Sequence, residues 1–477
     1  MLLYLAVALL LPVTMSAVVR DGALTALLLS EAATTLAGLL MTGTFRLLAS
    51  KSRPHRGGTA KRHNALWITA TVWTLVPLFG ALPFLLSGTL ASPVDALFES
   101  VSGFTTTGAS LIVQPQTIAP SLLLWRSMTQ WIGGLGLVLF VIAILRRIGV
   151  ASLELYEAEF SGTLGRKLHP HIAVSVSRMW RIYLLLTLLL AAALLLCGEG
   201  PLRSLCIALS TVSTGGFMPT EGGLTGLRPA TSTVLTVMMF LSGVNIALLF
   251  HLVCGRPRPL LRSREFHLYI AIYLVATAMV ALSLTAAGNS LRHSLSYSLF
   301  HIASTISTCG FYLPSPSHWS LWASGVTFLL LFLGPMAGST GGGIKLKRIM
   351  ILGHSVRNYF THILHPSATL PLSVDGDRVE PDYVSKVYAF VFLYIMLTVA
   401  GAFILTLCGL DLQNAFAMAA ANISNLGASP LLTNLGASID YPALPLVGKC
   451  TLMILMTAGR LEIFALLAIF FPAYWKK

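Results

Sequence analysis

Long apolar runs alternate along the chain with short polar segments. Runs at 2–19, 23–50, 66–90, 121–145, 179–196, 232–253, 268–287, 386–408 and 444–471 each read as a membrane span, as does a run that starts at 321. About 20 helical residues cover a hydrocarbon core about 30 Å thick. Between pairs of these runs lies a weaker pattern that is too short and too polar to cross. Asp95-Ala96-Leu97-Phe98-Glu99-Ser100 predicts a short helix, and Ser102-Gly103-Phe104-Thr105-Thr106-Thr107-Gly108-Ala109-Ser110 predicts an extended loop after it. Related segments recur three times, at Val212-Ser213-Thr214-Gly215-Gly216-Phe217, Ile306-Ser307-Thr308-Cys309-Gly310-Phe311 and Ile423-Ser424-Asn425-Leu426-Gly427-Ala428. The pattern predicts two leading spans (1–50) and four units of span, re-entrant loop, span at 64–147, 177–255, 265–358 and 384–477.

Composition supports a polytopic all-α membrane protein. Of the 477 residues, 55% are hydrophobic and only 10% charged, where a soluble chain carries about 25% charged residues. The net charge of +14 could suggest a nucleic-acid partner. Most of the Lys and Arg residues, however, fall in alternate loops, including 51–62, 146–181, 256–264, 345–348 and 476–477. That distribution follows the positive-inside rule and places both termini in the cytoplasm. The first run could be a signal peptide, but it lacks a charged leader and leads into a second span. The six cysteines have neither metal-site nor disulfide-framework spacing and read as buried thiols.

Irregular backbone at membrane depth is tolerated only where protein or water satisfies its polar groups. Four such loops around one axis would present carbonyls able to replace the water shell of a cation. The C-terminal ends of the short helices would add partial negative charge. The competing reading is four ordinary Gly/Ser/Thr turns at span ends. A second irregular stretch, 334–343, holds Pro335 and five glycines inside an apolar run. Proline and repeated glycine make a continuous helix there improbable, leaving a packed kink or a flexible plug. Arg460 lies deep in the last run, where a guanidinium is expensive and usually functional. It faces the pore or pairs with an interior acid. Asp95 and Asp411 read mainly as helix caps, and Glu99, Glu221 and Asp440 as outer acids. His169-Pro170-His171 lacks companion metal ligands. His301 and Ser304 share a helix face, but no oxyanion arrangement follows them, so hydrolase chemistry is set aside and the chain is not expected to be an enzyme.

With these motifs in view, the chain resembles the membrane subunits of the Trk-type potassium-uptake family over essentially its full length. Ala81-Leu82-Pro83-Phe84, the 95–100 helix and the Thr-Thr-Thr-Gly loop match the first family repeat. Gly338-Ser339-Thr340-Gly341-Gly342-Gly343-Ile344-Lys345 matches the family's gating loop, and Gly459-Arg460-Leu461-Glu462 its last span. The resemblance implies one central pore per chain in a bacterial cytoplasmic membrane, with potassium as the transported ion. It implies a filter formed by Thr106, Thr107, Gly108, Thr214, Gly215, Gly216, Thr308, Cys309, Gly310, Asn425, Leu426 and Gly427. Its filter glycines would be Gly108, Gly216, Gly310 and Gly427, with Gly215 as an alternative to Gly216. The gate would comprise Gly338, Ser339, Thr340, Gly341, Gly342, Gly343, Lys345 and Arg460. The fourth loop departs most from the pattern, and no loop has a Thr-Val-Gly-Tyr-Gly sequence. A homodimer and a cytoplasmic TrkA-type ring that senses NAD or ATP are also implied. This chain has no GxGxxG segment, so the nucleotide belongs to the partner. A potassium symporter coupled to protons or sodium is the other reading.

Overall fold

The computed structural model describes residues 1–51, 58–135, 172–221, 224, 226–313, 319–366, 372–374, 377–427 and 441–467. Of the expected inner loop at 146–181, residues 146–171 with the His-Pro-His segment lie outside these residues, as do the ends of the runs at 121–145 and 444–471, while Arg178 and Arg181 are helical and not part of a loop. The described chain is helical apart from a two-stranded antiparallel ribbon, Ser373–Val374 with Asp377–Arg378. Among the described residues, six helices are long and apolar enough to cross a membrane, and a bent pair can form a seventh span.

The leading pair, α1 (Leu2–Val19) and α2 (Leu24–Lys51), is followed by α3 (Gly58–Gly80), α4 (Leu82–Leu86) and the short α5 (Pro93–Phe104). Helix α3 begins before the expected 66, so Lys61 and Arg62 are helical and not part of a loop. Next come α6 (Pro120–Gly134), α7 (Ile172–Leu196), the short α8 (Pro201–Val212), and α9 (Pro229–Ser242) with α10 (Ile246–Val253). After the small α11 (Arg258–Arg262) follow α12 (Arg264–Ala286), the short α13 (Leu291–Ile306), α14 (Leu321–Phe332) and α15 (Leu346–Leu364). The chain then forms α16 (Pro381–Leu407), the short α17 (Leu412–Ile423), α18 (Leu446–Arg460) and α19 (Phe464–Leu467). Pro93 and Pro201 open α5 and α8, where a missing N–H is harmless and the fixed φ suits the first turn. Ser290 and Asp411 cap α13 and α17 through side-chain acceptors. Asp95, expected as a cap, instead pairs with Lys449 Nζ at 2.7 Å and ties α5 to α18.

Besides the one-residue interruption at Ala81 between α3 and α4, three apolar runs break among the described residues, where a single break was expected. The run 321–345 leaves the helix at Leu333, within a residue of the expected Gly334-Pro335. The run 232–253, expected to be continuous, bends by 114° between α9 and α10. Asn245 starts α10 afresh there by accepting from Ala247 N (2.8 Å) and Leu248 N (3.4 Å). The last run, also expected to be continuous, breaks after Arg460, with Glu462 and Ile463 at φ 54° and 64°. Positive φ is rare for a β-branched residue such as Ile463, so the surrounding contacts must impose it.

Candidate functional site

The four short helices end in one repeated backbone motif. In each, the residue after the cap is left-handed: Thr106, Thr214 and Asn425 at φ 55° and Thr308 at 59°. Its N–H reaches back three residues and the next N–H reaches back five. Thr106 bonds Gly103 O (2.9 Å) and Thr107 bonds Ser102 O (2.9 Å); Thr308 bonds Thr305 O (3.1 Å) and Cys309 bonds Ser304 O (2.9 Å). Thr214 with Gly215, and Asn425 with Leu426, repeat the pattern. This double closure normally ends on glycine, because a Cβ in the left-handed region crowds the backbone. Threonine in three of the four positions stores about 1–3 kcal/mol of strain at each. Such strain persists only where the surroundings over-determine the backbone.

The loops meet edge to edge at three junctions, first with second, second with third and fourth with first. A Cβ on Gly108 would strike the Gly215 carbonyl, one on Gly216 the Cys309 carbonyl, and one on Gly427 the backbone of Ala109. Gly427 N also donates to Thr107 O at 2.5 Å. Gly108, Gly216 and Gly310 have φ of 82°, 76° and 84°. Gly216, and not Gly215, is therefore the positional equivalent of the other two. Two buried side-chain oxygens at the left-handed positions, Thr106 Oγ1 and Asn425 Oδ1, lack a hydrogen-bond partner. Asn425 also accounts for the divergent fourth loop. Its amide donates to Thr107 Oγ1 (3.1 Å) and Met456 O (2.9 Å), joining the last loop to the first and to α18.

A buried polar frame surrounds the ring. Glu99 and Arg126, 0% and 2% exposed, pair at 2.6 Å. Glu99 also accepts from Ser110 Oγ and from Leu111 N at 2.9 Å, where the first loop leaves the ring. Arg126 donates to Met218 O at 2.9 Å and lies 3.8 Å over the Phe217 ring, where the second loop leaves. Gln130, one turn on, donates to Gly215 O (2.7 Å) and accepts from Phe217 N (3.1 Å). The hydropathy pattern alone places Glu99 among the outer acids and does not single out Arg126 or Gln130. Their signal was a polar i, i+4 pair inside an apolar run.

On the opposite side of the ring lies the glycine-rich loop 334–343. Its ends close on each other through Gly334 N to Ile344 O (2.8 Å) and Ile344 N to Phe332 O (3.1 Å). Thr340 Oγ1 donates to Val212 O at the end of α8 (3.2 Å), and Gly342 N donates to Thr308 Oγ1 (2.9 Å). A Cβ on Gly342 would strike the Ser424 carbonyl, so only glycine lets this backbone pass so close to the fourth loop. Lys345 Nζ donates to Gly341 O and, at 3.4 Å, to Ser339 Oγ. Arg460 donates to Thr340 O (2.7 Å) and to Gly133 O and Gly134 O (both 2.6 Å). The sequence alternatives for Arg460, a pore-facing cation or an ion pair, did not include these carbonyls. Glu462 pairs with Arg348 at 2.5 Å.

Long apolar helices around a ring of strained, inward-ending loops define a polytopic helical membrane transport protein. Residues 35–477 match the TrkH family, described as cation transport proteins. The chain belongs to that family. It is 32% identical to the Trk system potassium uptake protein TrkH of Salmonella typhimurium over 428 residues, covering 88% of this chain and 87% of that one. It is 30% identical to TrkH of Vibrio parahaemolyticus, covering 98% of this chain and 96% of that one. The crystal structure of the potassium transporter TrkH from Vibrio parahaemolyticus superposes with a TM-score of 0.85 at 28% identity, covering 100% of this chain and 97% of that one.

The polar frame yields a stability prediction. Arg126→Gln leaves the buried Glu99 carboxylate without its counter-charge, and folding should weaken by about 3–5 kcal/mol. The double variant Glu99→Gln/Arg126→Gln should recover part of that loss, since no unpaired charge then remains buried. Thermal unfolding of the detergent-solubilised protein measures both. An unchanged melting temperature for Arg126→Gln contradicts a supporting role for the pair.

Proposed function

We propose that the chain conducts potassium into the cell through one central pore, with the ring of four loops as its selectivity filter. The carrying observation is the common ending of the four short helices, whose loops touch at three junctions, first with second, second with third and fourth with first, while Gly342 bridges the third and fourth. Those ends and the loop carbonyls favour a cation. The unpartnered Thr106 Oγ1 and Asn425 Oδ1 add oxygens of the type a potassium ion takes. Potassium as the cargo follows from the names of the relatives. The division into two leading helices (1–50) and pore units at 64–147, 177–255, 265–358 and 384–477 accompanies this reading, as do cytoplasmic termini in a bacterial inner membrane. So do a homodimer and a TrkA-type cytoplasmic ring carrying the NAD or ATP site.

In this reading the loop Gly338 to Gly343 is the gate. It touches the ends of α8 and of the third and fourth loops on the side away from the Glu99–Arg126 frame. Lys345 and Arg460 hold it by its carbonyls. Arg460 also limits occupancy below the filter: at about 5 Å and an effective dielectric of 20 it repels a potassium ion by about 3 kcal/mol.

Reversal potentials of the purified protein in liposomes separate a channel from a symporter. A Nernstian response to potassium alone supports conduction, and a proton- or sodium-dependent shift supports coupled transport. Gly310→Ser and Gly427→Ser should reduce potassium selection and raise the external potassium needed for uptake. Unchanged affinity and sodium exclusion in both variants would remove these loops from the filter. Deleting 337–342 should raise flux with selectivity retained, and Arg460→Gln should raise it in the same direction by releasing Thr340. If the deleted protein folds and its flux falls, the loop is packing and not a gate.

A further inference from the structure

The glycine-rich loop is held at two separate places, and only one belongs to the gate described above. Its later part, Ser339 to Gly343, is held by Lys345, Arg460 and the ends of the short helices. Its earlier part is docked against the break between α9 and α10. Met336 N donates to Gly243 O and Ile246 N donates to Gly338 O, both at 3.1 Å. Two side chains complete the attachment at one peptide. Asn245 Nδ2 donates to Ala337 O at 2.6 Å, and Ala337 N donates to Glu265 Oε1 at 2.7 Å. Both groups of Ala337 are thus taken by side chains from outside the loop. Asn245 is 8% exposed and Glu265 5% exposed.

Both side chains belong to a single continuous segment. Asn245 opens α10, which spans about 12 Å at 1.5 Å per residue. Then come Cys254 and the small α11, and Glu265 stands in the first turn of α12. Arg256, Arg258, Arg262 and Arg264 of this elbow are exposed, while Leu260 is 6% exposed and anchors it. A force on the elbow therefore acts on both side chains of the attachment at once.

We infer that Asn245 and Glu265 form a clamp on Ala337 that fixes the closed position of the loop, and that displacement of the elbow between α10 and α12 releases it. The inference rests on the reading of the loop as a gate. The elbow then transmits to the gate a movement produced on the cytoplasmic face. Asn245 and Glu265 each hold one backbone group of Ala337. They are positioning residues, acting through Ala337.

Asn245→Asp tests the clamp with little change in shape. The carboxylate keeps the acceptor that caps Ala247 and Leu248, but sets an oxygen against the Ala337 carbonyl where a donor stood. Glu265→Ala removes the other half. Potassium flux in liposomes is measured with the purified protein alone, alongside the potassium-to-sodium ratio and the monodisperse yield. The clamp predicts that Asn245→Asp raises partner-free flux about fivefold or more with an unchanged ion ratio, a coupling of ordinary allosteric size. Glu265→Ala should act in the same direction. Flux that stays at the wild-type level, or falls in proportion to folded yield, overturns the clamp. The protein deleted for 337–342 distinguishes the two ideas. If the deletion raises flux and Asn245→Asp does not, the gate stands and the clamp fails. If neither raises flux, the gate fails and the clamp with it.

Discussion

Everything in this fold depends on holding irregular backbone in place at membrane depth, where water cannot satisfy it. The four short helices meet this constraint with one device. A left-handed residue closes each helix, and its N–H and the next are spent on the preceding turn. Using threonine in three of these positions is locally unfavourable. The same positions let Thr308 Oγ1 accept from Gly342 N and the Asn425 amide reach Thr107 Oγ1 and Met456 O, contacts that glycine could not make. Strain at the helix end and a side chain that ties the loop to its neighbours are two consequences of one choice of residue.

Strained loops need support from both sides, and the molecule supplies it with different chemistry on each. On one side the support is a buried, fully engaged network in which Glu99, Arg126 and Gln130 fix the exits of the first two loops. A network with few alternatives suits a structure that should not move. On the other side the support is a glycine-rich segment held by backbone bonds at its ends and by side-chain donors on its carbonyls, from Lys345, Arg460 and Asn245. Each of those bonds is worth only a few kcal/mol at most. A few such bonds separate two conformations by the kind of gap that a partner's binding energy can reverse. The proposed division between a fixed filter and a movable gate follows from this asymmetry.

Most of the architecture was legible in the sequence because the bilayer imposes a length and a polarity on every span. The short helices and their loops could be read from four recurrences, and the break near Gly334 from proline and clustered glycines. The breaks at 243–245 and 461–463 carry weaker signals. Gly243 with Asn245 resembles many tolerated sites in a membrane helix, and Glu462 and Ile463 are not left-handed by propensity. Only their tertiary partners, Ala337 for the first break and Arg348 for the second, make those conformations favourable. The roles of Glu99 and Asp95 were hidden for a related reason. Sequence placed them near the outer face, but their partners Arg126 and Lys449 lie 27 and 354 positions away.

The central claim is that the ring of four loops holds dehydrated potassium. Anomalous diffraction from crystals soaked in thallium(I), a heavy analogue of potassium, tests it most directly. The account predicts peaks on the axis of the ring, level with Thr106 to Gly108, Thr214 to Gly216, Thr308 to Gly310 and Asn425 to Gly427. Peaks confined to exposed acids such as Glu221, with none within reach of the loop oxygens, would contradict it.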